Sequence, residues 1–259
     1  MTWTTQPRSK VGPLAAMVAG NGQRVLLLHG VGLRSEAWAP IFTDLAQDYT
    51  VQAPDMLGHG ETPRPDGQLR LDDYIDAVAA VVDGPVVVIG HSMGAVMALE
   101  LAMRMPEHVK GVAALNAIFE RDAAATAAIR KRAAALDGES ATDPTVTLHR
   151  WFSDTQSPER EACDNWLRSI NAKSYQLAYQ AFAASDGPAR ADLANLTCPA
   201  LFMTGAEEPN STPAMSKAMA QVCANGRAVI AKGAAHMMPM THPNQTIAEL
   251  RTLLREVWP

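Results

Sequence analysis

Cysteine is scarce in this chain of 259 residues, which contains only three. They are Cys163, Cys198 and Cys223, an odd number without the close spacing that metal ligands have. Small secreted proteins are stabilised by many paired cysteines, whereas proteins of reducing compartments keep theirs free. The cysteine content therefore argues against a disulfide framework and predicts a reducing environment.

A dominant charge is also lacking. The chain has 22 Lys and Arg against 27 Asp and Glu, a net charge of −5, and the charges are scattered along it. The one basic cluster, Arg130-Lys131-Arg132, falls in an Ala-rich helical pattern and is interpreted as a solvated helix face. Because proteins that bind nucleic acid concentrate positive charge on one surface, nucleic acid is not expected as a partner.

Long apolar segments are the third absence. No run is long enough to span a bilayer, and the first ten residues lack the apolar stretch of a signal peptide. A cytoplasmic protein with no membrane partner is therefore expected. The sequence also lacks a metal-ligand constellation and a phosphate-binding loop, so neither a metal nor a cofactor is predicted.

Short apolar runs alternate with amphipathic segments over much of the chain. Strands are predicted at residues 25–28, 50–53, 85–90, 111–115, 200–204 and 227–231. Helices are predicted at residues 36–47, 71–82, 95–104, 213–222 and 246–257. This alternation predicts an α/β protein with a mostly parallel central sheet and flanking helices.

Residues 117–191 have a different composition, with Ala-rich helical segments and no β-branched run. This segment is predicted to be a helical cap inserted into a core made of residues 1–116 and 192–259. Its aromatic side chains either line an apolar substrate pocket or pack within the cap, and the sequence leaves both interpretations open. The candidates for substrate binding are Trp151, Trp166, Tyr175, Tyr179 and Phe182.

The segment Gly90-His91-Ser92-Met93-Gly94 fits the pattern Gly-x-Ser-x-Gly. It lies between a predicted buried strand and a predicted helix, which is the context in which this pattern forms a sharp turn that exposes a nucleophile. The glycines keep side chains away from the crowded backbone of the turn. Ser92 is therefore the candidate nucleophile.

A serine hydroxyl needs a base within hydrogen-bond reach to act as a nucleophile. His236 is the candidate, because it follows the last predicted strand in a loop of small residues and can reach over the carboxyl edge of the sheet. His242, next to Pro243, is the alternative base.

The base in turn needs an acid that orients it, located between nucleophile and base in the chain. Glu208 is the candidate and Glu207 the alternative, both on the loop after the strand at 200–204. A further interpretation is that both are ordinary surface charges.

Acyl transfer also requires donors for the developing oxyanion. The backbone N–H of Met93, which follows the nucleophile, is one candidate. Val31 in the segment His29-Gly30-Val31-Gly32 is the other, since its flanking glycines allow close approach to a substrate carbonyl.

Several of these segments, in this order, resemble those of the α/β-hydrolase superfamily. They are the His29-Gly30 loop, the loop at residues 55–60, the Ser92 turn and the acid-bearing segment before His236. Within the superfamily the chain looks like the esterase and lactonase group that includes 3-oxoadipate enol-lactonases, with a helical cap after the sixth strand. The resemblance implies an α/β-hydrolase fold, a Ser92–Glu208–His236 triad, and an oxyanion hole formed by Val31 and Met93.

Two features depart from that group. Glu208 stands where an aspartate is usual, and Thr241 precedes His242 where a glutamate often precedes His-Pro. Serine at the turn separates this chain from relatives of the same fold that use an aspartate nucleophile and form an alkyl-ester intermediate.

The expected function is hydrolysis of a small-molecule carboxylic ester, thioester or lactone through an acyl-enzyme on Ser92. The same triad also allows C–C bond hydrolysis, perhydrolysis or acyl transfer, and a ligand-binding protein with slow turnover is the alternative outside catalysis. The sequence leaves a homo-oligomer open.

Overall fold

The computed structural model describes residues 3–141 and 143–259. The predicted core and cap also include Met1, Thr2 and Thr142, which lie outside the described residues. The strands are β1 (Ser9–Val11), β2 (Leu14–Ala19), β3 (Arg24–Leu28), β4 (Thr50–Pro54), β5 (Val86–His91), β6 (Val109–Leu115), β7 (Ala200–Gly205) and β8 (Gly226–Ala231). The helices are α1 (Ala39–Leu45), α2 (Leu71–Ala79), α3 (Met93–Arg104), α4 (Ala123–Ala134), α5 (Thr145–Phe152), α6 (Pro158–Ser169), α7 (Ala172–Ala183), α8 (Arg190–Leu193), α9 (Pro213–Val222), α10 (Met238–Thr241) and α11 (Pro243–Val257).

The strands form one sheet in the order β1-β2-β4-β3-β5-β6-β7-β8. Neighbours from β4 to β8 pair in parallel, whereas β2 pairs antiparallel with both β1 and β4. The prediction of a mostly parallel central sheet with flanking helices is confirmed. In such a sheet the carboxyl ends of the parallel strands meet at one edge, where ligands bind.

Strands β1 and β2 are a finding that the sequence pattern did not predict. β1 has only three residues, which are largely exposed, and β2 is rich in alanine rather than in β-branched residues. Helix boundaries also differ from the predictions. A 3₁₀ turn at Ser35–Trp38 precedes α1, α2 ends at Ala79, and α11 begins at Pro243, where proline fits the first turn of a helix.

The central strands are buried on both faces, which explains their continuous apolar runs. In β3, Val25 and Leu27 pack on the side of the sheet that holds α1 and α11, whereas Leu26 and Leu28 pack on the side that holds α2 and α3. The alternation follows from the two-residue period of a strand. The sheet that carries the candidate site at its edge is therefore packed on both faces by buried apolar side chains.

The chain between β6 and β7 contains only helices among its described residues, α4 to α8. Helix α4 packs against α7, and apolar side chains such as Leu148 and Leu167 join the same buried cluster as the core of the sheet. Apolar packing therefore holds these helices, the segment predicted as a cap, against the sheet. No helix within residues 3–141 and 143–259 combines the length and apolar character needed to cross a membrane.

Candidate active site

Ser92 lies on the sharp turn between β5 and α3. Its backbone has a φ of 57° and a ψ of −118°, a conformation that serine rarely adopts. A Cβ on Gly94 would overlap the carbonyl oxygen of Leu28, and one on Gly90 would overlap the carbonyl oxygen of Gly94. The two glycines of the motif are thus required by close backbone contacts, and the strained turn directs Ser92 toward the cavity described below.

The predicted oxyanion loop lies directly against Ser92. A Cβ on Gly30 would be only 3.0 Å from the Ser92 Cβ and 3.5 Å from its Oγ. Among the hydrogen bonds of the described residues, none uses the backbone N–H of Val31 or of Met93 as a donor. Met93 begins α3, where N–H groups have no partner within the helix. Both predicted donors therefore have no hydrogen-bond partner among the described residues.

Two buried histidines hold this loop in place. His59 donates from Nδ1 to the Leu57 carbonyl and accepts at Nε2 from the Gly32 N–H, at 3.0 and 3.1 Å. His29 donates from Nδ1 to the Gly30 carbonyl and accepts at Nε2 from the Met56 N–H, at 2.8 and 3.0 Å.

Both rings must be neutral to accept these hydrogen bonds. Burial lowers the pKa of His29, and burial together with neighbouring His29 lowers the pKa of His59 to about 3. Near neutral pH the two rings therefore keep the proton arrangement that positions the loop.

His236 and Glu208 form a close pair behind Ser92. The distance from His236 Nδ1 to Glu208 Oε2 is 2.6 Å, and the side chain of Glu208 is fully buried. Glu207, the alternative acid, is exposed. His242, the alternative base, contacts Thr241 through Nδ1 at 2.9 Å and does not line the cavity at Ser92. The structure thus brings Glu208, and not Glu207, to His236.

The Glu208 carboxylate is stabilised in its charged form. Burial by itself would raise the pKa of this carboxyl group. The charge and hydrogen bond of His236, together with the backbone N–H groups of Asn210 and Ser211, outweigh burial and lower the pKa to about 2. An ionised Glu208 can only accept hydrogen bonds, so Nδ1 of His236 must be the donor of this pair, and in the neutral ring the lone pair is then on Nε2.

Two aromatic rings enclose His236. The indole of Trp151 stacks on its imidazole with ring centroids 5.5 Å apart and planes at 21°, and the ring of His91 lies 5.0 Å away. His91 Nε2 donates to the His236 carbonyl at 2.8 Å. Ser92 and His236 line the same cavity, and no hydrogen bond joins their side chains within the described chain. In free enzymes such contacts are often long and tighten when substrate binds.

The cavity above Ser92 has a volume of about 160 Å³ and lies between the sheet edge and the cap. Of the predicted substrate-binding residues, four line it: Trp151, Tyr175, Tyr179 and Phe182. Trp166 is placed elsewhere. It packs edge-on against Trp3, with centroids 6.3 Å apart, and borders a separate groove. Trp166 therefore does not line the cavity at Ser92, because its helix position points it to the N-terminal segment.

Sequence reasoning missed three cavity-lining arginines, Arg121, Arg132 and Arg150. The basic cluster around Arg132 was expected to be a solvated helix face, and this holds for the exposed Arg130 and Lys131. Arg132 instead turns inward and donates from Nε to the Tyr179 hydroxyl at 3.1 Å. No motif in the sequence marks these arginines, and it is their placement in the fold that reveals them.

Asn116, at the end of β6, is a second residue that the sequence did not single out. It adopts a φ of 52° and donates from Nδ2 to Glu208 Oε2 at 3.0 Å. Asparagine tolerates this left-handed conformation better than most residues, which is the only signal for it in the sequence. No group of three or more His, Cys, Asp or Glu side chains in the described ranges is arranged to hold a metal ion.

Comparisons with known proteins identify the family. A family model described as the alpha/beta hydrolase family matches residues 25–250. The chain is 34% identical over 232 residues to the (E)-2-((N-methylformamido)methylene)succinate hydrolase of Acinetobacter baylyi (strain ATCC 33305 / BD413 / ADP1), which covers 87% of this chain and 88% of that protein.

More distant similarity extends over almost the whole chain. The pimeloyl-[acyl-carrier protein] methyl ester esterase of Stenotrophomonas maltophilia (strain R551-3) is 26% identical over 258 residues, 90% of this chain and 93% of the esterase. The crystal structure of the enol-lactonase from Burkholderia xenovorans LB400 superposes with a TM-score of 0.82 at 21% identity, covering 96% of this chain and 100% of the other. At that identity the superposition shows a shared fold.

Proposed function

The chain belongs to the alpha/beta hydrolase family, and we propose that it hydrolyses a carboxylic ester, thioester or lactone through an acyl-enzyme formed on Ser92. The observation that carries this proposal is the 2.6 Å contact between His236 and buried Glu208, facing the cavity into which the Ser92 turn projects. A nucleophile, a base and an orienting acid in this arrangement perform acyl transfer on several unrelated folds.

The first half of the reaction forms the acyl-enzyme. His236 Nε2 takes the Ser92 hydroxyl proton while Oγ attacks the substrate carbonyl carbon, and the carbonyl oxygen becomes an oxyanion. The N–H groups of Val31 and Met93 donate to this oxyanion. When the tetrahedral intermediate collapses, His236 gives the proton to the departing alkoxide or thiolate.

Water completes the reaction in the second half. His236 removes a proton from a water molecule, whose oxygen attacks the acyl carbon, and the same N–H groups bind the second oxyanion. Collapse breaks the bond to Ser92 Oγ, which recovers its proton from His236, and the carboxylic acid leaves. Glu208 stays ionised throughout and stabilises the imidazolium that forms twice in each cycle.

Other reactions of the same triad remain alternatives, namely C–C bond hydrolysis, perhydrolysis and acyl transfer, as does slow turnover by a ligand-binding protein. One alternative substrate has specific support. The Acinetobacter baylyi relative is named for a methylenesuccinate that carries an N-methylformamido group, and it is 34% identical over 87% of this chain. That compound is therefore the second candidate substrate, and analysis of its products would identify the bond that is cleaved.

The proposal is tested by release of p-nitrophenol from acetyl to octanoyl esters. We expect wild-type turnover, and a loss of at least about 10³-fold in kcat for Ser92→Ala. The exposed cap serine Ser140 provides the control, and Ser140→Ala should match the wild type. A stoichiometric acyl adduct on Ser92, detected by mass spectrometry, would separate covalent catalysis from general-base hydrolysis. Ester turnover by Ser92→Ala at the wild-type rate would refute the proposal.

A further inference from the structure

Three cap arginines, which we call the arginine cluster, line the cavity at Ser92. They are Arg121 before α4, Arg132 in α4 and Arg150 in α5. No Asp or Glu lies among the described residues that line this cavity. The whole chain has a net charge of −5, so the excess of positive charge is local. A cavity of this kind attracts an anionic group.

Arg121 is a buried member of the cluster, with 4% of its side chain exposed. Its Nη2 donates to the carbonyl oxygens of Phe182 and Ser185 at the end of α7, and its Nε lies 3.3 Å from an oxygen of Asp186. Its Nη1 is buried and has no hydrogen-bond partner in the described chain. A buried charged donor without a partner is unfavourable, so this nitrogen is suited to an acceptor that a ligand supplies.

The other two arginines are held in place but not neutralised. Arg132 is fixed by the Tyr179 hydroxyl through Nε, and Arg150 donates from Nη2 to Thr147 Oγ1 at 3.1 Å. Neither has a carboxylate within ion-pair distance in residues 3–141 and 143–259. Each therefore keeps N–H donors available on a guanidinium group whose position is already restricted.

We propose that the acyl part of the substrate carries a carboxylate, which the arginine cluster binds while the scissile carbonyl faces Ser92. This inference rests on the proposed function. Guanidinium groups match carboxylates in shape and charge and bind them through two parallel hydrogen bonds. The apolar side chains of Val31, Ile118 and Phe182 line the same cavity of about 160 Å³. The substrate class is therefore a monoester, thioester or lactone of a small dicarboxylic acid.

A matched pair of substrates isolates the charge. Monomethyl glutarate carries a carboxylate, and methyl 4-carbamoylbutanoate replaces it with a neutral amide of nearly the same shape. Methanol release gives kcat/KM for each ester. Because a hydrogen bond to a charged group is worth about a tenfold effect or more, we expect the wild type to prefer the anionic ester by about 30-fold or more.

The variants Arg132→Gln and Arg150→Gln test the residues. Each should lower the ratio of the two kcat/KM values by about tenfold, because one charged donor group becomes neutral. Arg130→Gln is the matched control, since Arg130 lies on the same helix as Arg132 but is exposed and outside the cavity. It should leave the ratio unchanged. Equal rates for the two esters in the wild type would overturn the inference.

Binding measurements separate this inference from the proposed function. Calorimetric titration of glutarate into the wild type and into the same variants requires no turnover. If neither ester is cleaved but glutarate binds and the Arg132→Gln and Arg150→Gln variants lose that binding, the carboxylate site stands and the hydrolase proposal fails. If the neutral ester is cleaved but the variants bind glutarate with the same affinity as the wild type, the arginine proposal fails and the hydrolase proposal stands.

Discussion

Replacing Glu208 with Gln removes one charge and hardly changes the shape of the side chain. In the wild type, Oε2 accepts from His236 Nδ1 at 2.6 Å and from Asn116 Nδ2 at 3.0 Å. Oε1 accepts from the backbone N–H groups of Asn210 and Ser211 at 2.8 and 3.3 Å. Every group around the carboxylate is thus a donor, and an amide has only one oxygen to offer them.

Neither orientation of the new amide satisfies this environment. If its oxygen faces Asn210 and Ser211, its NH₂ group faces Nδ1 of His236, which must then accept, so that the imidazole proton moves to Nε2. His236 in that tautomer cannot accept the Ser92 proton. If the amide is reversed, its NH₂ group meets two backbone N–H donors, and each buried donor left without an acceptor costs about 1–3 kcal/mol.

The expected loss follows from the tautomer. An asparagine in place of the acid of a serine triad lowers kcat by about 10⁴-fold, about 5 kcal/mol of transition-state stabilisation, and Glu208→Gln should act similarly. Glu208→Asp keeps the charge but withdraws it by about 1.5 Å, the length of one C–C bond. Because a displacement of this size costs about 10²-fold, its activity should be intermediate.

Steady-state kinetics on a p-nitrophenyl ester measures these effects, with circular dichroism to verify folding. Glu207→Gln is the control, because Glu207 adjoins Glu208 and is exposed. It should match the wild type. A Glu208→Gln enzyme within tenfold of the wild-type kcat would refute the tautomer argument, and a large loss in Glu207→Gln would assign the acid to that residue instead.

Two further predictions concern the same pair. The pKa of Glu208 is lowered from 4.5 to about 2, so its ionisation stabilises the fold above about pH 4.5 and this contribution is lost as the pH falls toward 2. Urea unfolding should therefore show that the difference in free energy of unfolding between the wild type and Glu208→Gln becomes smaller as the pH falls from about 4.5 toward 2. A difference that stays constant over this range would contradict the prediction. Removing the indole that stacks on His236 in Trp151→Leu should lower kcat by about fivefold, since a cation–π contact is worth about 1 kcal/mol. Trp151→Phe should retain more activity than Trp151→Leu, and equal kcat values for the two variants would exclude a role for the stacked ring.

The sequence predicted the parallel part of the sheet because burial on both faces imposes a pattern. Strands such as β5, with six consecutive buried residues, read as continuous apolar runs, and the turn after β5 carries its own motif. β1 and β2 have no comparable pattern, because they form the antiparallel edge of the sheet and are partly exposed. β1 pairs only with β2, and β2 depends on pairing with β4, whose partner residues lie about 35 positions further along the chain.

The Ser92, Glu208 and His236 positions were predictable because each follows a strand of the parallel sheet. The carboxyl ends of β5, β7 and β8 meet at one edge, so chain order alone brings the three loops together. The choice between Glu207 and Glu208 was not predictable, because adjacent residues of a loop differ only in the direction that the backbone gives them.

The position of the arginine cluster could not be predicted from chain order. Its members come from the loop before α4, from α4 and from α5, and no sheet imposes their order in space. Within the basic run at 130–132, a rotation of α4 by one residue, about 100°, would exchange an inward for an outward side chain. Packing of α4 against α7 sets that rotation, since Arg132 meets the Tyr179 hydroxyl of α7. The same packing therefore decides which side chain of residues 130–132 faces the substrate cavity. Substitutions at the α4–α7 contact should for this reason change substrate preference even when the substituted residue does not contact the substrate.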